Sequence, residues 1–260
     1  MKILHPTDFS PASRKALELA KKLRDLTGGS LTILHAAEPR YASAAHFFDT
    51  QTEKIFDEAE QAWSVLMGRQ LAALDPNAQT VLEPRKPIPV ILHHAVRHDL
   101  VVMGTHGEDS LMDRLLGTTT ERVIAQTARP VAAVSKAAEP SSLSRLLVGW
   151  GPTPGSERVL RLAHHIAEAS RGKITVLHVG DPGELERMNQ SIRTLPLALE
   201  GRLEARVLSP DPSPAAALLG FAHEQQADAL FVGRSRAGVF FGSVTRWILN
   251  HAPVPVLVQP

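Results

Sequence analysis

The chain has no cysteine in its 260 residues. That excludes disulfide staples, thiolate nucleophiles and cysteine-built zinc sites together. It has almost no net charge either: 28 Lys and Arg against 27 Asp and Glu leave +1 with histidines neutral. Such a balance gives no electrostatic footprint for nucleic acid or for a membrane surface. No apolar run approaches the roughly 20 residues that span a bilayer. Met1-Lys2-Ile3-Leu4-His5-Pro6 enters a strand-like run directly, without a signal peptide's apolar core, so a cytoplasmic location is expected. At 43% hydrophobic and 21% charged, the composition is that of an ordinary globular protein, and the length admits one large domain or two small ones.

What is present is organised around residues 99–120, DLVVMGTHGEDSLMDRLLGTTT. An apolar run over residues 100–103 ends at Gly104 and reads as a buried parallel strand leaving its sheet. Gly107 follows and, nine residues further on, Gly117-Thr118-Thr119-Thr120. Glycines let the backbone turn tightly and approach a ligand closely. Gly-Thr-Thr-Thr before Val123, Ile124 and Thr127 reads as a helix start, where free amides and the helix dipole suit an anion. Together these features look like a phosphate cradle. It is not a Walker loop, because no Gly-Lys-Ser/Thr follows, and its glycine spacing is not the dinucleotide fingerprint.

In order, Ile3-Leu4 reads as a strand, and Ala16, Leu17, Leu19, Ala20 and Leu23 as the apolar face of a helix stopped by Gly28-Gly29. Residues 31–36 form the second strand. A long helix over residues 53–74 carries Phe56, Trp63, Met67, Leu71 and Leu74 at helical spacing, which is core packing, and Asp75-Pro76 ends it. Strands at 80–82, 100–103 and 131–134, with a helix at 87–97, complete an alternating pattern, hence a doubly wound parallel sheet.

The pattern then begins again. Residues 1–5 align with 144–148, and 31–35 with 174–178, at an offset of 143. The offset falls to 129 at Asp99 and Gly104 against Asp228 and Gly233, and to 125 at Gly117-Thr118 against Gly242-Ser243. Self-similarity over a domain length means duplication. The expected organisation is a first domain at 1–137, a linker at 138–144 and a second domain at 145–260. The edge strands 131–134 and 256–258 should bring two five-stranded sheets together as a pseudo-dimer, with a homodimer of chains left open.

The spacing G-x2-G-x9-G-[ST], Pro6-Thr7-Asp8-Phe9-Ser10 after the first strand, Asp99 opening the fourth and Arg129-Pro130-Val131 entering the last resemble the universal stress protein family in both halves. The resemblance implies two tandem five-stranded α/β domains of the adenine nucleotide alpha hydrolase-like kind. It also implies that the chain binds ATP, AMP or ADP and acts as a stress-response module, magnesium with the phosphates being left open. Pro6, Thr7 and Asp8 would hold the adenosine, a carboxylate accepting from ribose hydroxyls. Ala36 and Ala37 would offer backbone groups to the adenine edge. Gly104, Gly107, Gly117, Thr118, Thr119 and Thr120 would hold the phosphates, His106 would contact them when protonated, and Met103 and Thr105 would line the same nucleotide site.

The second half departs from this pattern. Trp150 stands at the place of Thr7, Gly151 at that of Asp8 and Arg236 at that of Gly107. Gly242-Ser243-Val244-Thr245 survives, so Arg234 and Arg236 are expected to hold at most a phosphate there. His94 and His98 have a zinc-compatible i, i+4 spacing, but without a further ligand they read as exposed helix histidines, and His164-His165 reads likewise. His35 and His178 occupy equivalent strand ends, which points to one structural role. No catalytic residue is assigned. Enzymes with similar sheets add His-x-Gly-His or Ser-Gly-Gly, both missing here, and Asp109 and Asp113 are solvated loop carboxylates; slow ATP hydrolysis, nucleotidyl transfer and a scaffold with a vestigial site are the alternatives to a binding module.

Overall fold

A computed structural model describes residues 1–38, 50–105, 116–139, 142–151, 154–195, 201–209, 213–234 and 242–260. Strand β1 (Lys2–Pro6) is buried from its second residue onward. Helix α1 (Pro11–Thr27) starts at Ser10, whose side chain accepts from the Ser13 amide, and has proline in its first turn. It ends at Gly28 in the left-handed region, φ 59°. Its face of Ala16, Leu19, Ala20 and Leu23 is at most 1% exposed.

Strand β2 (Ser30–Ala36) leads through undescribed residues to α2 (Thr50–Leu74), three residues longer at its start than the sequence pattern suggests. Asp75 closes α2: its carboxylate accepts from the Asn77 amide at 2.9 Å and from Arg24 at 2.5 Å. Burial pushes the Asp75 pKa up, but those two partners outweigh burial and leave it below the usual carboxylate value. Then come β3 (Gln79–Glu83), α3 (Pro87–Ala95), β4 (Leu100–Gly104), α4 (Thr118–Gln126) and β5 (Val131–Val134). Helix α3 stops two residues short of Arg97 because the chain tightens into turns, Arg97 N–H to His94 O at 3.1 Å and His98 N–H to Ala95 O at 3.0 Å.

The second half repeats the series: β6 (Arg145–Trp150), α5 (Pro154–Ser170), β7 (Lys173–Val179), α6 (Glu184–Arg193), β8 (Leu203–Leu208), α7 (Pro214–Glu224), β9 (Ala229–Gly233), α8 (Ser243–His251) and β10 (Val256–Gln259). The elements start at the offsets read from the sequence: Lys2 to Arg145, Leu100 to Ala229, Thr118 to Ser243. The larger loss within the repeat falls on the second helix, 25 residues in α2 and 10 in α6.

All ten strands join one sheet, ordered β3-β2-β1-β4-β5-β10-β9-β6-β7-β8. Neighbours are parallel except β5 and β10, which run antiparallel with Val256 opposite Ala133 and Val258 opposite Val131. Both are short apolar strands whose ladder groups would otherwise lie open. So the halves meet in a continuous sheet, not as two separate sheets. One core layer lies under α1, α2, α5 and α6, the other under α3, α4, α7 and α8. Asp99 and Asp228 do equivalent work: Asp99 accepts from the Lys2 amide at 2.7 Å, and Asp228 from those of Ser144 at 2.7 Å and Arg145 at 3.0 Å. Each acid clasps the start of its half's first strand. Among the described residues no helix is long and apolar enough to cross a membrane.

Candidate functional site

In each half the chain winds outward through its second and third strands, then jumps back across the first. That reversal separates β1 from β4 at their carboxyl ends, where open α/β sheets bind ligands. Pro6 is buried in β1, and the Thr7 amide extends the ladder to Leu34 O at 2.8 Å. The Thr7 hydroxyl is buried and accepts from the Phe9 amide at 3.1 Å and the Ser13 hydroxyl at 2.8 Å. Asp8 is exposed, and its Oδ1 accepts from the Ser10 amide at 3.0 Å, a local turn. Phe9 takes φ 64° at that corner. Ser10, and not Asp8, caps α1. Asp8 therefore keeps its second oxygen without a partner among the described residues.

The facing wall is the end of β4. Met103 is 4% exposed and belongs to the core beneath. A Cβ on Gly104 would lie 2.7 Å from the Ser13 amide nitrogen and 2.8 Å from the Ala12 carbonyl carbon. Only glycine lets the first turn of α1 sit on β4 so closely. Thr105 donates its amide to Val134 O at 2.9 Å, and its carbonyl accepts from the Gly117 amide at 2.6 Å. The buried Thr120 hydroxyl donates to Gly104 O at 2.7 Å. These bonds fold residues 116–120 back over the strand end.

Helix α4 thus begins at the carboxyl end of β4, the strand that pairs with β1. Its first helical bond is Glu121 N–H to Gly117 O at 2.9 Å, so the amides of Thr118, Thr119 and Thr120 have no acceptor inside the helix. Gly117 provides no side-chain cap, whereas α1 and α7 are capped by Ser10 and Ser213. Thr118 is exposed and Thr119 half-buried. Gly117 itself sits at φ −60°, ψ 141°, open to any residue, so no backbone constraint demands glycine there. At the far side Ala36 ends β2, and the Ala37 amide is already donated to Glu83 O at 3.2 Å. His35 ties this strand to the site through Nδ1–H to Thr7 O at 2.8 Å. His106, Gly107, Asp109, Asp113 and Arg236 lie outside the described residues.

A family model described as "Universal stress protein family" matches residues 1–135 and 143–260, nearly the whole chain. The chain belongs to the universal stress protein family. Among its relatives, the universal stress protein MJ0577 of Methanocaldococcus jannaschii is 26% identical over 154 residues, covering 52% of this chain and 94% of that protein. A universal stress protein of Thermus aquaticus is 29% identical over 133 residues, covering 50% and 94%. Both relatives are therefore the length of one half. A universal stress protein from Archaeoglobus fulgidus has a crystal structure that covers 99% of this chain and 97% of its own, with a TM-score of 0.76 and 19% identity, a likeness of fold.

The second universal stress protein segment is built differently at the same place. Trp150 is half-buried against the core, and Ser156 engages the Gly151 backbone twice, accepting from its amide at 3.0 Å and donating to its carbonyl at 2.6 Å. Arg234, expected to hold a phosphate, instead points into the first half. Its Nη1 donates to Ile124 O at 2.6 Å, Ala125 O at 2.7 Å and Thr127 O at 3.3 Å, capping the carboxyl end of α4. On α8, Asn250 accepts from the Leu116 amide at 2.7 Å, and Arg246 pairs with Glu121. The second half thus grips residues 116–127 of the first half, α4 and its two ends, at three points. The repeat offset of 129 puts Arg234 where the first half has Thr105, the signal that could have exposed it.

Three histidine findings concern the framework around these strand ends. His35 and His178 do share a role: the latter's Nδ1–H donates to Trp150 O at 3.1 Å, as His35 does to Thr7. His94 and His98 are partly buried, not exposed; both His98 ring nitrogens are engaged, by His94 O at 2.8 Å and Thr32 Oγ1 at 3.1 Å. His5 was not singled out by sequence reasoning. It is fully buried, with Nδ1–H on Val102 O at 2.8 Å and Nε2 unpartnered, and burial pushes its pKa down to about 4. Among the described residues no three His, Asp or Glu side chains converge on a metal site.

Proposed function

We propose that this protein binds an adenine nucleotide, ATP or a close relative, in the crevice of its first half, and works as a binding and regulatory module in the cytoplasmic stress response. The observation that carries the reading is the start of α4: three amides without helical acceptors and no side-chain cap, set at the carboxyl end of β4 beside the end of β1. Such a terminus favours phosphate oxygens by amide geometry and by the helix dipole. The amides of Thr118, Thr119 and Thr120 and the Thr118 and Thr119 hydroxyls would hold them, with Gly104, Thr105, His106 and Gly107 forming the loop around them. The exposed Asp8 would accept from ribose hydroxyls. Pro6, Thr7 and Met103 form the floor, and Ala36 with Ala37 the adenine side, where the Ala37 carbonyl serves because its amide is in use.

In this reading residues 1–137 hold the ligand. Residues 145–260 stand in as the pseudo-dimer partner, and residues 138–144 link them. Any magnesium would be carried by the phosphates.

The test is to denature freshly purified protein, identify released nucleotide by chromatography, and titrate the emptied protein with ATP by calorimetry. An adenine nucleotide recovered intact and one ATP site per chain are expected. No binding of any adenine nucleotide overturns the reading; steady phosphate release replaces the binding module by an ATPase.

A further inference from the structure

Helix α2 is apolar on two faces. Its inward face has Leu71, 1% exposed, with Trp63, Met67 and Leu74 half-buried. Lys21 Nζ donates to Leu74 O at 2.5 Å, and Arg24 binds Asp75, so the helix's carboxyl end is anchored on α1. The other face looks outward. Ile55 is 60% exposed, Leu66 53% and the neighbouring Val65 56%, and Ala59, Ala62, Arg69 and Ala73 are exposed too. Ile55, Ala59, Ala62, Leu66, Arg69 and Ala73 are spaced alternately four and three residues apart, the spacing of a coiled-coil seam. The counterpart α6 is too short to carry such a face, 10 residues against 25.

We propose that this seam docks a second copy of the chain, α2 against α2, antiparallel about a two-fold axis level with residue 64. In that one register Ile55 meets Ala73 of the other copy, Leu66 meets Ala62, and Arg69 meets Ala59. Each large side chain faces a small one, as close packing requires. Parallel pairing sets Ile55 on Ile55, Leu66 on Leu66 and Arg69 on Arg69, with alanines facing alanines across a gap.

Charge selects the same arrangement. Asp57 and Glu58 lie exposed in the amino-terminal half of α2, whereas Arg69 is the only charged residue from 61 to 74. The antiparallel register brings each Arg69 level with Ala59 of the other copy and onto the flank where Glu58 stands. A two-fold interface repeats every contact, so the pair forms twice. None of these residues belongs to the nucleotide site, so the two proposals stand or fall separately.

The cysteine-free sequence makes the test direct. Ile55→Cys and Ala73→Cys preparations, mixed with oxidised glutathione, are expected to give the 55–73 disulfide dimer in excess over either self-linked dimer. Sedimentation of the unmodified protein is expected to show a dimer. Leu66→Glu is expected to raise its Kd about 30-fold or more while leaving ATP affinity, and the melting temperature at concentrations where both proteins are monomeric, in place. Arg69→Glu is expected to weaken the dimer, and Glu58→Arg added to it to restore it. A protein monomeric throughout, a dimer indifferent to Leu66→Glu, self-linked disulfides in excess, or a face that takes only a different protein overturns the proposal.

Discussion

β1 and β6 end in equivalent places, yet what surrounds them has diverged in a consistent way. Positions that hold the framework keep their function in both halves. His35 and His178 bond the carbonyl of the same loop position, Thr7 and Trp150. Thr120 and Thr245 each donate to the glycine that ends the fourth strand of their half. Positions that face the crevice have changed: Thr7 to Trp150, Asp8 to Gly151, Thr105 to Arg234. Of these, Arg234 took on a new task, bracing α4 from outside. Duplication frees the second copy of a binding surface for structural use, while the sheet that both share constrains the rest.

The comparison is sharpest at Gly104 and Gly233. A Cβ at Gly104 meets backbone atoms at 2.7 and 2.8 Å, whereas at Gly233 the nearest neighbour is the Val159 side chain at 3.7 Å. Gly104→Ala should cost about 3 kcal/mol and Gly233→Ala almost nothing, by urea unfolding. Equal effects would show that the two halves are packed alike.

His5 and Val148 come next. The folded His5 pKa of about 4 lies below its ordinary 6.5, so below pH 6.5 the unfolded chain takes a proton that the folded chain refuses. Stability is lost as pH falls from 6.5 towards 4, about 2 kcal/mol of it by pH 5. His5→Val, the residue of the other half, should abolish that share of the decline between pH 7.5 and 5. An unchanged pH profile would remove His5 from the account.

In the proposed reading Asp8 and Gly151 make ATP binding asymmetric between the halves. Asp8→Ala should weaken ATP at least about tenfold, the worth of a charged hydrogen bond of about 1.5 kcal/mol. Altering Ser243 should leave ATP binding unchanged. Calorimetry with two equal sites per chain would break the asymmetry.

The smallest effect concerns helix ends. Gly28 and Arg171 both close the first helix of their half with positive φ, 59° and 55°. Arg171→Gly should therefore stabilise the protein by about 1 kcal/mol, readable as a higher Tm, while Gly28→Arg should destabilise it by a similar amount.

Much of this was legible in the sequence because it rests on local, repeated signals. Apolar periodicity and glycine stops placed the elements, and the repeat offsets aligned the halves to the residue. The neighbouring ends of β1 and β4 could be placed from the alternating pattern, because strand ends at a topological switch are fixed by strand order. Less visible were the partners of individual groups. Ser10 rather than Asp8 caps α1, the Thr120 hydroxyl belongs to Gly104, and Gly117 needs no special backbone angle. Each is a choice among chemically equal candidates a few residues apart, made by packing.

By itself, then, the sequence determined the α/β class, the duplication and the two strand edges that pair, since hydrophobic period and repeat are carried by neighbouring residues. Only the tertiary structure decided that Arg234 reaches across to the end of α4, that His5 is sealed without a partner for Nε2, and that one face of α2 is left bare. Those outcomes depend on which surfaces, separated by up to about a hundred residues, come within a few ångströms. Burial and hydrogen bonding, unlike periodicity, are properties of that meeting and not of any one stretch of chain.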